Sequence, residues 1–240
     1  MLIKILRKAV KLLKEYQAVL FDLDDTLLSR DLAIDQLFFI ILEKCYEDTN
    51  HSEEMLRSFK ECDKRSYGDN DKSKVLNSFF DEYPPKNRLP CHSIQDFWNH
   101  HFPQCFSIDP KTIQIINAIK QQAKVAIITN GSVQRQNAKI MNTHLNSCFD
   151  TIIISEEVGL SKPDKRIFEL ALNELNVRSE EALFVGDDIE KDIGGSQTIH
   201  MKGIWFNPHK RENDTTIKPY AEIWSLDRLL DFLPGGLAEK

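Results

Sequence analysis

Val19-Leu20-Phe21-Asp22-Leu23-Asp24-Asp25-Thr26-Leu27-Leu28 opens on three apolar residues, passes through a cluster of carboxylates, and closes on a hydroxyl and two leucines. A short apolar run bounded by turn chemistry reads as a buried strand. The carboxylates then fall where the strand stops, at a mouth rather than in a core. Asp22 and Asp24 can face one bound ion only if the backbone turns between them. A hard, oxygen-preferring cation such as Mg2+ would use such a cluster. Asp and Thr are also ordinary turn and capping residues, so the stretch gains meaning only in combination with the chain downstream.

From Asp109, helices and strands alternate as they do in a parallel α/β sheet. A helix from Pro110 to Gln121 leads to the strand Lys124-Val125-Ala126-Ile127-Ile128, which ends in Thr129-Asn130-Gly131-Ser132. A helix from Val133 to about Met141 precedes the strand Thr151–Ile154, and Lys162-Pro163 precedes a helix carrying Ile167, Phe168, Leu170 and Leu175. Pro163 suits the first turn of that helix, where a missing N–H costs little. Ala182–Val185 then runs into Gly186-Asp187-Asp188-Ile189-Glu190-Lys191-Asp192, and the last strands expected are Gly203–Phe206 and Ala221–Trp224.

Between Ser29 and Ser107 the apolar spacing is helical throughout. One face carries Leu32, Ile34, Leu37, Phe38, Ile40, Ile41 and Cys45; later ones carry Met55, Leu56, Phe59 and Cys62, then Val75, Leu76, Phe79 and Phe80, then Ile94, Phe97 and Trp98. About eighty residues is too much chain for one crossover between parallel strands, so the segment reads as an inserted helical subdomain. The reading divides the chain into an amphipathic helix over 1–16, an α/β core over 17–28 and 108–234, the insert over 29–107, and a loose tail over 235–240. The fold expected is a Rossmann-like parallel sheet with an inserted α-helical cap.

Upstream, Leu2, Ile5, Leu6, Ala9, Leu12, Leu13 and Tyr16 recur at helical spacing among Lys4, Arg7, Lys8, Lys11 and Lys14. Lysines interrupt every candidate apolar core there, which argues against a signal peptide. Such a helix could bind a surface or a partner, but packing on the protein's own core is the simpler expectation. The net charge of −6 argues against a nucleic-acid polymer as ligand. No apolar run approaches the roughly 18 residues of a membrane span. The scattered cysteines (Cys45, Cys62, Cys91, Cys105, Cys148) form no CxxC pair, so reduced thiols and a cytoplasmic location are expected. The oligomeric state is not readable.

Ligands bind beyond the carboxyl ends of parallel strands. Asp22, Thr129 and Asp187 each stand at the end of an apolar strand, and Lys162 lies in the loop after another. Each has an ordinary alternative as a cap, a turn or a solvated surface residue. Those alternatives do not explain the order and the location together. The four stations, Asp22-Leu23-Asp24-Asp25-Thr26, Thr129-Asn130-Gly131, Lys162-Pro163, and Gly186-Asp187-Asp188 through Asp192, resemble the four motifs of the haloacid dehalogenase superfamily. The helical insert is similar to that superfamily's cap, and Ile204-Trp205-Phe206-Asn207 to one of its late strands. Lys165 stands where many members have a second proline, and Asp188 and Lys191 replace a frequent Ser and Asn.

The resemblance implies Mg2+-dependent hydrolysis of a small phosphomonoester, a nucleotide or sugar phosphate. It implies Asp22 as nucleophile, forming an aspartyl-phosphate, and Asp24 as acid and then base. Thr129, Asn130, Gly131 and Lys162 would bind the phosphoryl group. Asp22, the backbone carbonyl of Asp24, and Asp187 would hold the metal, with Asp188 and Asp192 behind them. Dehalogenases of the superfamily lack the acid at Asp24, and transport ATPases carry Thr there and need membrane spans. A phosphonate hydrolase would need a Schiff-base lysine from the cap, where Lys44, Lys60 and Lys64 exist; a phosphomutase shares every core residue. A receiver-like signalling domain, or a binding protein that has lost catalysis, is the alternative of another kind. In the insert, His100, His101, Trp98, Arg88 and Arg65 are candidates to set specificity, or ordinary surface and core.

Overall fold

The computed structural model describes residues 16–47, 51–66, 71–90 and 92–232. The helix expected over 1–16 (Tyr16 apart) and the tail expected over 235–240 lie outside these residues. The chain divides into two compact units, one formed by residues 29–107 and the other by the segments on either side of it.

The unit of residues 29–107 is helical, with no strand among its described residues. Its main helices are α1 (Arg30–Cys45), α2 (Ser52–Arg65), α3 (Ser73–Glu82) and α4 (Ile94–His101). Ser29 and Ser93 start α1 and α4 by accepting backbone N–H groups of Leu32 and Asp96, the ordinary serine N-cap. The centre is aromatic: Phe59 stands 5.9 Å from Phe38, 5.3 Å from Phe79 and 6.3 Å from Trp98, ring to ring. Trp98 is therefore core of this unit. Arg30 and Asp63 form a two-bond ion pair (2.6 and 2.8 Å) that ties α1 to α2. The apolar stripe of α1 runs Ile34, Leu37, Phe38, Ile41, Cys45 with Ala33 and Leu42 beside it; Leu32 is exposed. Two residues from Ile34 is about 200° around a helix, so the two cannot share a face.

In the other unit, six strands among the described residues make one parallel sheet. They are β1 (Ala18–Phe21), β2 (Lys124–Thr129), β3 (Thr151–Ile154), β4 (Ala182–Gly186), β5 (Lys202–Phe206) and β6 (Ala221–Ile223), in the order β3-β2-β1-β4-β5-β6. The expected α/β class is what the chain adopts, with β1 in the interior of the sheet. Phe21 of β1 lies beside Ile127 of β2 and Val185 of β4. All four residues of β1 are buried, as in a strand covered on both faces. Alternate side chains divide between those faces. Ala18 and Leu20 join Ile167, Phe168, Ala171, Leu172 and Leu175 of a helix spanning Lys165–Leu175. On the opposite side Phe21 meets Phe149 edge-on at 6.0 Å. The order reverses direction at β1 and β4, the switch point where open parallel sheets leave a crevice beyond their strand ends.

Three longer helices serve this sheet: α5 (Pro110–Lys120), α6 (Val133–Asn142) and α7 (Lys165–Leu175). Pro163 does not enter the first turn of α7, contrary to the sequence reading. Asp164 is the N-cap, its carboxylate accepting the Arg166 N–H at 3.0 Å, and Pro163 precedes it in a cis peptide with Lys162. A capping Asp there fixes the first helical residue at Lys165, two residues beyond the proline.

Candidate active site

The acidic loop begins one residue past β1. Asp22 N–H continues the ladder to the Val185 carbonyl (2.9 Å), and the chain then turns sharply. Leu27 and Leu28 both donate to the Leu23 carbonyl at 3.0 Å, and Asp25 has a φ of 57°. Asp tolerates that left-handed conformation better than most residues. The turn these contacts form lies between Leu23 and Leu28.

Across the switch point, β4 ends in Gly186-Asp187. A Cβ on Gly186 would lie 2.2 Å from the Asp192 carboxylate, so only glycine lets Asp192 fold back over the strand end. Asp192 leads there from a wide helical turn over Ile189–Gly194. Its Oδ2 accepts the Asp188 N–H at 3.0 Å. One carboxylate oxygen each from Asp22, Asp187 and Asp192 fall within 4.8 Å of one another.

Lys162 Nζ enters this cluster, 2.5 Å from Asp22 Oδ1 and 2.7 Å from Asp192 Oδ1. Burial alone would favour the neutral amine, but Asp192 and Asp22 outweigh it and hold the ammonium above its ordinary range. Asp22 is also shifted upward, for a different reason: burial pushes its carboxyl well above 3.8, Lys162 opposes, and Asp192 and Asp187 add to the rise. Asp187 is pushed up to about 7 by burial, then by Asp192 and Asp25, against the pull of Arg211. Arg211 Nη2 donates to the Asp187 carbonyl at 2.7 Å and lies 3.4 Å from its Oδ2. Three crowded carboxylates around one buried ammonium hold more negative charge than the site balances. An all-oxygen donor set of this kind fits a hard divalent cation.

Asp24 faces other partners. Lys139 Nζ of α6 contacts both its oxygens (2.7 and 2.8 Å), and Gln136 Nε2 donates to Oδ2 at 2.9 Å. Gln136 Nε2 also donates to Thr129 Oγ1 at 2.6 Å. Gln136, Lys139, Arg211 and Ser155 were absent from the sequence reading.

The remaining candidates are structural in their visible contacts. Asn130 clamps the Lys162 backbone from both sides, donating to its carbonyl and accepting its N–H, each at 2.9 Å. Gly131 N–H, expected to face a phosphoryl group, donates instead to Ser155 Oγ at 2.9 Å. Asp188 accepts the N–H groups of Glu190 and Lys191 and pairs with Lys191 Nζ at 2.7 Å. Its side chain is thus spent on capping the turn over 189–194. In the insert, Lys60 pairs with Asp35 (2.6 Å) and Asp31 (3.0 Å), which outweigh burial and raise its pKa. A Schiff-base lysine needs the opposite shift.

The site thus joins a carboxylate nest and a buried lysine at the switch point of a parallel α/β sheet. The chain matches the haloacid dehalogenase-like hydrolase family over residues 19–206 and belongs to it. It is 39% identical over 125 residues to the pyrimidine 5'-nucleotidase YjjG of Escherichia coli K12, a match spanning 52% of this chain and 56% of that protein. It is 30% identical over 235 residues to glyceraldehyde 3-phosphate phosphatase of Pyrococcus furiosus, spanning 92% of this chain and 94% of that one. Among solved structures, the putative HAD-hydrolase YfnB of Bacillus subtilis, bound to magnesium, is similar at a TM-score of 0.70 and 25% identity, over 92% of this chain and 99% of that one.

Proposed function

We propose that this hydrolase is a Mg2+-dependent phosphatase of small phosphorylated metabolites, acting through an aspartyl-phosphate on Asp22. The observation that carries the reading is the division of labour between two carboxylates two residues apart. Asp22 lies in the charged nest with Lys162, while Asp24 is held apart by α6.

In this mechanism an Asp22 oxygen attacks phosphorus in line with the leaving oxygen. Lys162 and the Thr129 hydroxyl hold the non-bridging oxygens as charge moves across them. Asp24 gives its proton to the departing alkoxide. In the second half it takes a proton from the water that attacks the phosphoaspartate, and Asp22 leaves as a carboxylate. Asp22, Asp187 and the carbonyl of Asp24 would hold Mg2+, whose positive charge would ease the approach of an anionic nucleophile to an anionic ester. Asn130 shapes the Lys162 loop rather than touching phosphate.

The named activities of the two relatives support a nucleotide or sugar phosphate as substrate. The free cysteines Cys45, Cys62, Cys105 and Cys148 support a reducing, cytoplasmic setting. Among the described residues no helix is long and apolar enough to cross a membrane. The test is turnover of p-nitrophenyl phosphate with Mg2+, followed by a panel of phosphorylated metabolites. Full activity in excess EDTA, or action on phosphoproteins with no metabolite turned over, refutes the proposal.

A further inference from the structure

Helix α6 presents an unusual buried face. Its buried residues are Gln136, Lys139 and Ile140, so two polar side chains occupy positions where packing alone would favour apolar ones. A buried lysine is costly unless paired, and this one is paired with Asp24 at 2.7 and 2.8 Å. Gln136 and Lys139 are three apart and share a helical face. Ser132, the N-cap, sets where that face begins, so α6 aims both side chains from the end of β2.

Gln136 is held tightly. A Cβ on Gly131 would lie 3.1 Å from Gln136 Cγ and Cδ, and Gly131 has a φ of 146°, where side chains are strained. A side-chain amide has two N–H donors. Its two short contacts, to Asp24 Oδ2 (2.9 Å) and Thr129 Oγ1 (2.6 Å), use both. Because Thr129 Oγ1 accepts there, its own hydrogen is not used in that contact and is left to donate to another group.

We propose that Lys139 and Gln136 are positioning residues for catalysis: together they fix the direction of the Asp24 carboxyl, and Gln136 ties it to Thr129 as a hydroxyl donor. The inference rests on the phosphatase reading above. Asp24 has to meet the leaving oxygen in the first step and a water in the second. A carboxyl free to rotate would lose rate in both.

The experiment uses the full-length protein with Mg2+ and two probes of similar shape, p-nitrophenyl phosphate and phenyl phosphate. The phenolate leaving group depends far more on receiving a proton. kcat/KM reports phosphoryl transfer to Asp22, and kcat also contains phosphoenzyme breakdown. In Lys139→Met, kcat/KM should fall at least about tenfold further for phenyl phosphate than for p-nitrophenyl phosphate. Phosphoenzyme should also accumulate during turnover of p-nitrophenyl phosphate, detected by intact mass after acid quench. Gln136→Leu should shift the same ratio in the same direction, and it carries the test if circular dichroism shows Lys139→Met unfolded. Equal losses for both esters without accumulation overturn the positioning role and leave the phosphatase reading standing. A wild-type protein that turns over neither ester refutes that reading, and the positioning role falls with it.

Discussion

Asp187 is a carboxylate in a place that resists charge, and this makes stability depend on pH in a direction opposite to an ordinary ion-paired acid. Its pKa is raised from 3.8 to about 7, by burial first and by Asp192 and Asp25 next. Between those values the folded protein keeps a proton that the unfolded chain has released. Stability therefore falls as pH rises from about 4 to about 7, and the loss is complete above that. The full shift corresponds to at most about 4 kcal/mol. The side chain keeps 21% of its exposure, and solvent relaxation should leave about 1–2 kcal/mol of it. Asp187→Asn removes the charge and keeps the shape. In EDTA at pH 8 the variant should melt about 2–8 °C above the parent, and the two should converge only as pH falls below about 4. Mg2+ should raise the parent's Tm more at pH 8 than at pH 5, where it must displace a proton, and should barely move the variant. Differential scanning fluorimetry across pH, with and without metal, reads all three. A parent in EDTA that is as stable as the variant at pH 8 would refute the account of a strained, metal-seeking carboxylate.

Asp22→Asn should lower turnover of p-nitrophenyl phosphate by a factor on the order of 10^4 or more, with unchanged circular dichroism and no phosphoenzyme by intact mass; residual activity near that of the parent refutes Asp22 as nucleophile. Gly186→Ala should push Asp192 off the end of β4 and separate it from Lys162, destabilising the protein by about 3 kcal/mol in urea titration and reducing activity together. A variant with parental stability would show that Asp192 can move without cost. Thr26 Oγ1 is buried with no hydrogen-bond partner, so Thr26→Val should be neutral or stabilising by up to about 1 kcal/mol; a clear loss of stability would mean the hydroxyl has a partner in solution.

The parts of the site that could be read from sequence are those where strand chemistry and site chemistry coincide. An apolar run ending in Asp22, Thr129 or Gly186-Asp187 announces both the strand and the residue it delivers, because a parallel sheet has one end for ligands. Lys162 could be read because it stands in order between such ends. What escaped reading depends on contacts that no local pattern encodes. Gly131 looked like a phosphate-facing glycine, but its N–H is taken by Ser155, which arrives from the end of β3. Asp188 looked like part of the metal's surroundings, yet its carboxylate is consumed capping its own turn. In α6, Gln136 and Lys139 stand among Gln134, Arg135 and Asn137 in a run that reads as a solvated polar face. Only the sheet reveals otherwise. It sets the end of β2 beside the end of β1, so the helix leaving β2 must pass the loop leaving β1, and the buried Lys139 of that helix meets Asp24, the acid of that loop turned away from the carboxylate nest of Asp22, Asp187 and Asp192. Two polar residues at a spacing of three, on the helix that follows a site-bearing strand, are therefore better read against the acids of the adjacent strand end than against solvent.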